Sequence, residues 1–366
     1  MSPVRPDAYG VGLARRAWMW AASLAAEYRL LTIVIATYEA AAEGSHLLPG
    51  DHVVLPARQA ATPADWVAAD RELIARLRAA LPTEVPVRLV MLRLYLLDLL
   101  PHLPAAWQPL CELDCDDLES QTRYSMAGIA WRRGHPGQAL RHLSAAFAYR
   151  NAEGRALRQV AKIHVAAEED AVILRRRDPI ASVQVTPNRI AGPFPLLQSA
   201  PRPLRVLFVG TLNYLPNRDA ALWLADVIAP HLRRLVPAVE VAVAGAAPVE
   251  LIRRLQRAGV NYIEAVPGFA KAYAGSAVVI APLRGGGGTK FKVLEAWLHG
   301  CPVVATTHAC RGLGVQPGKH LLQADGPEEL AVACAALLTN QALATKIAQA
   351  GRAFLTDRFL VPHPDV

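Results

Sequence analysis

Val279–Thr306, VIAPLRGGGGTKFKVLEAWLHGCPVVAT, is the stretch on which the reading of this chain turns. It opens with a short run of Val, Ile and Ala, the composition of a buried strand. Four consecutive glycines then leave no side chain between the backbone and whatever approaches it. In the residues that follow, Phe291, Val293, Leu294, Trp297 and Leu298 fall on one arc of a helix, and Gly288, Lys292, Glu295 and His299 on the other. Gly300 stops this amphipathic helix, and Pro302 opens a second apolar strand, PVVAT. Strand, glycine loop, helix and strand in succession make the repeating unit of a parallel sheet.

The chemistry follows from that geometry. The first amides of a helix lack partners within it and carry the positive end of its dipole, so a glycine loop entering a helix is an anion site. The spacing predicts a diphosphate held by Gly286, Gly287, Gly288, Thr289 and Lys290. Arg284 before the loop and Lys292 after it add positive charge, and Glu295 accepts two hydrogen bonds from a vicinal diol such as a ribose. The plainer reading is a flexible glycine turn followed by a surface pair, Lys292 and Glu295 at i, i+3.

The 366 residues suggest two domains, and 53% hydrophobic with 19% charged residues describes a well-cored globular protein. The apolar runs LLTIVIATY and LVMLRLYLLDLL are too short to span a bilayer or are broken by Arg93 and Asp98. The first nine residues hold two prolines and no apolar core, so no signal peptide is expected and the predicted location is cytoplasmic. Five cysteines without a CxxC pair suit reduced thiols. A net charge of +8 points to an anionic partner: a nucleotide, anionic lipid headgroups or nucleic acid.

In chain order, a glycine turn at Gly10 and Gly12 leads into a helix from about Leu13 to Tyr28 and a strand from about Leu30 to Tyr38. Gly10, Gly12 and Glu39 mimic part of a dinucleotide fingerprint, but Arg15 stands where its third glycine belongs. The turn either touches a bound acceptor or only starts a helix. DHVVLPAR is a second strand, and VRLVMLRL a third. PLCELDCDDLESQTR ends a strand in Asp114, Asp116, Asp117 and Glu119. These acids admit three readings: a divalent-metal site, one catalytic carboxylate among structural ones, or an N-cap at Asp116 or Asp117. With cations already gathered at the diphosphate, no metal is expected, and Asp114 at the strand end is the candidate for orienting or deprotonating an acceptor.

From about Leu118 to Arg158 the chain is helical and basic, either a solvated surface or a face resting on anionic lipid. His164, inside an apolar run, reads as a core residue. Proline-rich 188–203 marks a linker between an acceptor-side domain, 1–187, and a donor domain, 204–340, with 341–366 returning toward the first domain. After the linker, strands and helices alternate again, which makes the fold class α/β with two doubly wound domains facing a cleft. Gly210 and Thr211, at the end of the strand LRVLFVG, join the nucleotide wall, and Asp114 to Asp117 the other.

FVGTLNYLPNRDA, APLRGGGGTKFKVLEAWLHGCPVVAT and RGLGVQPGKHLLQADGPEELA resemble the donor domain of a family 4 type, GT-B glycosyltransferase. RPDAYGVGLARRAW, LDCDDLES and VQVTPNRI are similar to the acceptor-loop, mid-domain and hinge segments of its bacterial members. The resemblance covers nearly the whole chain. It implies retaining sugar transfer from a nucleoside diphosphate sugar, without metal or other cofactor, with the ribose glutamate at Glu295. Where many members carry a second glutamate against the donor sugar, this chain has Gly287, as in a subgroup with a glycine-rich donor loop. The usual basic pair after the first donor-domain strand is represented by Thr211 and Asn217.

The function expected is transfer to a sugar or lipid-linked acceptor in surface polysaccharide or glycolipid assembly. Peripheral contact with an anionic membrane at its inner face is expected, and no nucleic-acid partner. The rivals are a sugar-nucleotide epimerase of the same fold and a catalytically silent sugar-nucleotide-binding protein. A last expectation concerns the N-terminus. A strand should precede Gly10, yet Pro3 and Pro6 stand in MSPVRPDAY, which predicts a missing strand, unpaired neighbours and an open apolar slot at Trp18 and Trp20.

Overall fold

The structure is a computed structural model that describes residues 1–7, 12–36, 51–56, 71–191, 202–264, 269–288 and 290–361. The chain divides into two compact units. One comprises Met1–Gln121 and Ala145–Arg189, the other Thr122–Ser144 and the chain from Ile190 onward.

The first half runs α1 (Gly12–Ala25), β1 (Leu31–Ala36), β2 (Asp51–Pro56), α2 (Arg71–Ala80) and β3 (Leu89–Leu92), followed by a 3-10 stretch, Leu94–His102. Then come β4 (Cys111–Asp116), α3 (Glu119–Arg132), α4 (Pro136–Gln159), β5 (Lys162–Val165), α5 (Glu168–Arg177) and β6 (Val183–Val185). Local sequence accounts for these elements. In α5, for instance, three acids occupy the first turn and three arginines the last, each complementing the helix dipole.

Strands β1 and β2 pair in parallel, as do β3, β4, β5 and β6 in that order. Between the two groups lie Met1 and Ser2. Ser2 N–H donates to Ile33 O at 2.9 Å, Ile35 N–H donates to Ser2 O at 2.8 Å, and Leu92 N–H donates to Met1 O at 3.0 Å. The expected gap is therefore corrected: two residues hold the strand's place, because Ser2 faces β1 while Met1 faces β3. The slot beneath α1 is closed as well, with Trp20 buried among Ala17, Met19, Val90 and Leu92, and Val4 and Trp18 packed against them.

Asp114 also departs from expectation. It lies inside β4, two residues before the strand's end, and is 1% exposed. Arg16 donates to both its oxygens at 2.6 Å, Trp20 Nε1 donates at 2.7 Å and the Asp116 amide at 3.0 Å. These bonds tie Asp114 to α1 through Arg16 and Trp20. Asp116, at φ 61 in a bulge of the β4–β5 pairing, accepts from Asn188 Nδ2 at 3.0 Å. Arg93 pairs with Asp117 at 2.7 Å and with Glu119. The acidic group is thus a set of arginine partners. His164 is buried as expected, between Glu112 at 2.6 Å and Thr186 at 2.9 Å.

The second half runs β7 (Ile190–Ala191), β8 (Arg205–Val209) and α6 (Leu215–Trp223), which continues through one π turn, Leu224–Ile228, into α7 (Ala229–Leu235). It proceeds with β9 (Glu240–Ala244), α8 (Val249–Arg257), β10 (Asn261–Ile263), α9 (Ala270–Ala274), β11 (Val278–Ala281) and α10 (Phe291–Leu298). It closes with β12 (Val303–Ala305), α11 (Thr307–Cys310), β13 (Leu322–Gln323), α12 (Pro327–Thr339), α13 (Gln341–Arg358) and β14 (Leu360–Val361).

Six parallel strands form its sheet in the order β10-β9-β8-β11-β12-β13, while β14 pairs with β7 apart from it. Strands from β8 onward build outward to one side as far as β10, and then β11 starts again on the other side of β8. The point of reversal lies between β8 and β11, where parallel sheets bind ligands beyond their strand ends. Apolar side chains such as Phe208, Val279, Ile280 and Trp297 fill the core on either side. A Cβ on Gly351 would stand 2.4 Å from the Trp297 ring, so α13 packs on α10 at a distance that only glycine allows. The five cysteines are buried free thiols.

Candidate functional site

The site is assembled where β8 and β11 end. Gly210 follows β8 directly, and a Cβ added to Gly245, at φ +135, would lie 2.1 Å from the Gly210 carbonyl oxygen. The backbones after β8 and β9 therefore approach closely only because residue 245 is glycine. Asn217, in the first turn of α6, donates from Nδ2 to Thr211 O at 3.1 Å and accepts from Lys292 Nζ at 2.6 Å. This one side chain links the loop after β8 to the first turn of α10. The Lys292 ammonium also lies over the Phe208 ring, 4.6 Å from its centroid. Burial, and after it the neighbouring Lys290 ammonium, bring the Lys292 pKa down to about 7.

Lys290 is buried, and its ammonium turns back into the glycine loop. It donates to the carbonyls of Gly286, Gly287 and Gly288 at 3.3, 2.5 and 2.7 Å. Gly286 and Gly288 sit at φ +100 and +66, which this curl requires. His308 reinforces it, with Nε2 donating to Gly286 O at 2.7 Å. Burial, then Lys290, push the His308 pKa to about 4, so the ring is neutral and its Nε2 carries the proton it donates. Lys290, foreseen as a phosphate contact, spends its charge on shaping the loop. The Gly286 amide donates to Ser125 Oγ at 2.9 Å, and a Cβ on Gly285 would stand 2.7 Å from Ile129 Cδ1. That side of α3 belongs to the same unit as the loop.

Arg284 is held in a fork by Asp219, Nε to one oxygen at 2.9 Å and a terminal nitrogen to the other at 2.7 Å, and its plane lies 4.4 Å from the Trp223 ring centroid. Arg133 shares the same carboxylate at 2.7 Å. Arg132 comes within 3.5 Å of Arg284 O, and burial followed by repulsion from Arg284 lowers its pKa. Three guanidiniums around one fully buried Asp219 leave an excess of positive charge beside the loop. Glu295, in the middle of α10, accepts from Tyr273 OH at 2.8 Å, and the Tyr273 ring stacks on His299 at 5.1 Å.

Gly210, Thr211, Arg284, Gly286, Gly287, Gly288, Lys290, Lys292 and Glu295 are thus brought together in the second unit. Gly12, Asp114 and Asp116 lie in the first, with Gly12 exposed in the opening turn of α1. Gly10 and Thr289 fall outside the described residues.

Residues 203–340 match the glycosyl transferases group 1 family. The matched segment lies within the second unit. No curated protein matches the chain significantly. Among solved structures, sucrose-phosphate synthase from Thermosynechococcus elongatus aligns over 98% of this chain and 92% of its own, at 14% identity and a TM-score of 0.72. Anabaena Alr3699/HepE, in complex with UDP-glucose, aligns over 97% and 94%, at 15% identity and a TM-score of 0.66. S. aureus TarM aligns at 14% identity over 56% of this chain, which spans 42% of TarM's length, with a TM-score of 0.48. The first two likenesses establish the two-domain GT-B fold.

Six residues that hold the loop, its cations and Glu295 in place were given no such role from the sequence: Ser125, Arg133, Asp219, Gly245, Tyr273 and His308. One signal was available for Asp219, an acid at the head of the otherwise largely apolar stretch DAALWLADVIA. The others reach the loop through contacts between distant parts of the chain and carry no local pattern.

Proposed function

We propose that this protein transfers a glycosyl residue from a nucleoside diphosphate sugar to a sugar or lipid-linked acceptor, with retention of anomeric configuration, in surface polysaccharide or glycolipid assembly. The observation that carries the reading is the Lys292–Asn217–Thr211 bridge at the strand reversal, beside a glycine loop already bent into shape. It is supported by the group 1 match and by the UDP-glucose held by a protein of the same fold.

In this reading the diphosphate lies along the loop, and the ribose hydroxyls donate to Glu295. As the bond from sugar to diphosphate lengthens, negative charge grows on the leaving oxygen. Loop amides, Lys292 and Arg284 stabilise that charge in place, with little reorganisation because Asn217 and Asp219 already fix both cations. The acceptor hydroxyl attacks from the face the diphosphate leaves and passes its proton to the departing phosphate oxygen. No side chain forms a covalent bond to the sugar.

The test is incubation with a panel of nucleoside diphosphate sugars, UDP-glucose first. Release of the nucleoside diphosphate only with an acceptor present, and a product of unchanged anomeric configuration by NMR, is the expected result. An isomerised donor without acceptor would mean an epimerase, and binding without turnover a silent binding protein.

A further inference from the structure

The second unit carries a surface that sugar transfer does not use. We propose that the α3–α4 hairpin, through its exposed face within 122–144, docks this protein on an anionic lipid surface. The inference rests on the glycosyltransferase reading only for its purpose, the approach to a lipid-linked acceptor. On α3, Tyr124 and Trp131 stand one above the other at i, i+7, 66% and 69% exposed, and on α4 Leu140 and Leu143 are 69% and 43% exposed. Large apolar side chains so open to water and so close in sequence mark a contact surface.

Charge selects the partner. From Thr122 to Ser144 the sequence holds four arginines and no Asp or Glu, and with Arg132 and Arg133 turned toward Arg284 and Asp219, it is Arg123 and Arg141 that give this face its charge. Gly134, at φ +74, turns the chain between the helices. Arg123 of α3 and Arg141 of α4 both lie near enough to His142 to disfavour its protonation, after burial, so the two helices share a cationic seam. Arginines at headgroup phosphates, Trp and Tyr rings at the interface and leucines just beneath them are the components of peripheral membrane binding. A second copy seated symmetrically on this face would set arginines against arginines with no acid to match. A nucleic acid strand would stack on the aromatic rings but leave both leucines without a role. Among the described residues no single helix is long and apolar enough to cross a membrane, so the contact is with the surface.

The experiment sediments the full-length protein with sucrose-loaded vesicles, either pure phosphatidylcholine or containing about 30 mol % phosphatidylglycerol. Binding to the anionic vesicles should exceed binding to the neutral ones by roughly tenfold or more, and high salt should release it. Arg123→Gln with Arg141→Gln, and separately Trp131→Ser with Leu140→Ser, should each weaken binding roughly tenfold. All four side chains lie outside the nucleotide site, so melting temperature and nucleotide-sugar affinity should stay unchanged.

Wild-type protein that stays in the supernatant, or variants that bind as wild type does, would overturn the proposal. So would variants that lose self-association or oligonucleotide binding in the absence of any vesicle binding. Vesicle binding without sugar turnover would instead count against the enzymatic reading alone.

Discussion

Lys292 Nζ donates to the Asn217 side-chain oxygen at 2.6 Å, joining the helix after the glycine loop to the helix after β8. The pKa of this ammonium lies at about 7 instead of 10.5, chiefly through burial. It is therefore charged below about 7 and neutral above, and a neutral amine does not draw in a diphosphate. kcat/KM for the donor should fall as pH rises through about 7. kcat should fall only at higher pH, because bound diphosphate holds the proton on the amine. Lys292→Arg, charged throughout, should lose the limb near 7. A wild-type pH-rate profile that is flat through neutrality would contradict this.

In the proposed reading Glu295 accepts from the ribose hydroxyls, and Tyr273 OH donates to one of its oxygens. Glu295→Ala should cost about 1.5 to 3 kcal/mol of nucleotide binding, measured by calorimetry, as expected for hydrogen bonds to a charged group. Tyr273→Phe should cost less, since the carboxylate remains. Arg284→Ala and Lys292→Ala should depress turnover more than Glu295→Ala does, because the charge they face grows only as the diphosphate leaves. Equal nucleotide affinity in Glu295→Ala would end the ribose assignment.

Asp219 holds Arg284 and Arg133 at once, and its own side chain is fully buried. Asp219→Ala should destabilise the protein by about 2 to 3 kcal/mol. That is less than for a wholly buried pair, because the two arginines keep part of their surface in water and can turn toward it. Arg284 then swings free, so turnover should fall even at temperatures where the variant is folded. Thermal unfolding followed by circular dichroism, with kinetics well below the transition, separates the two effects.

Arg16 and Asp114 make a buried ion pair in the other unit, with neither side chain open to water. Asp114→Asn should lower stability by about 3 to 5 kcal/mol, since it leaves the Arg16 charge without its counterion. The turnover of the remaining folded molecules should match wild type. A loss of kcat with an unchanged melting temperature would show instead that this carboxylate takes part in the chemistry.

Gly245→Ala should disturb the site without touching any charge. Its methyl group would meet the Gly210 carbonyl, and φ +135 is a conformation that L residues rarely adopt. The strand ends must part, carrying Thr211 and Asn217 with them, and donor affinity should drop by more than the fall in stability explains. Calorimetry with the nucleotide alongside thermal melts measures both.

The alternation of strands and helices was legible because each element carries its own signal. Glu168–Arg177 is a helix with acids first and arginines last, and Gly300, at φ +63, ends α10 where a glycine was read as the stop. The loop and its polar helix face were legible for the same reason. The membership of 122–144 in the second unit was not, because the pattern of an amphipathic helix records that it has a partner and not which one. Ser125 and Gly286 stand 161 residues apart, and Arg133 and Asp219 stand 86 apart. The surroundings of Asp114 were not legible for a related reason: its position on a strand was readable, but the arginine 98 residues earlier that occupies it was not.

Lys290 gives the glycine loop a character of its own. Three carbonyl oxygens converge on its ammonium as the oxygens of an ionophore ring converge on potassium, but here the guest is tethered to the host by four methylenes. Such a ring cannot lose its ion to dilution or to a chelator. A loop held in this way is already organised, so a nucleotide that binds along it is spared much of the entropy of ordering consecutive glycines, the residues that otherwise lose the most freedom on being ordered.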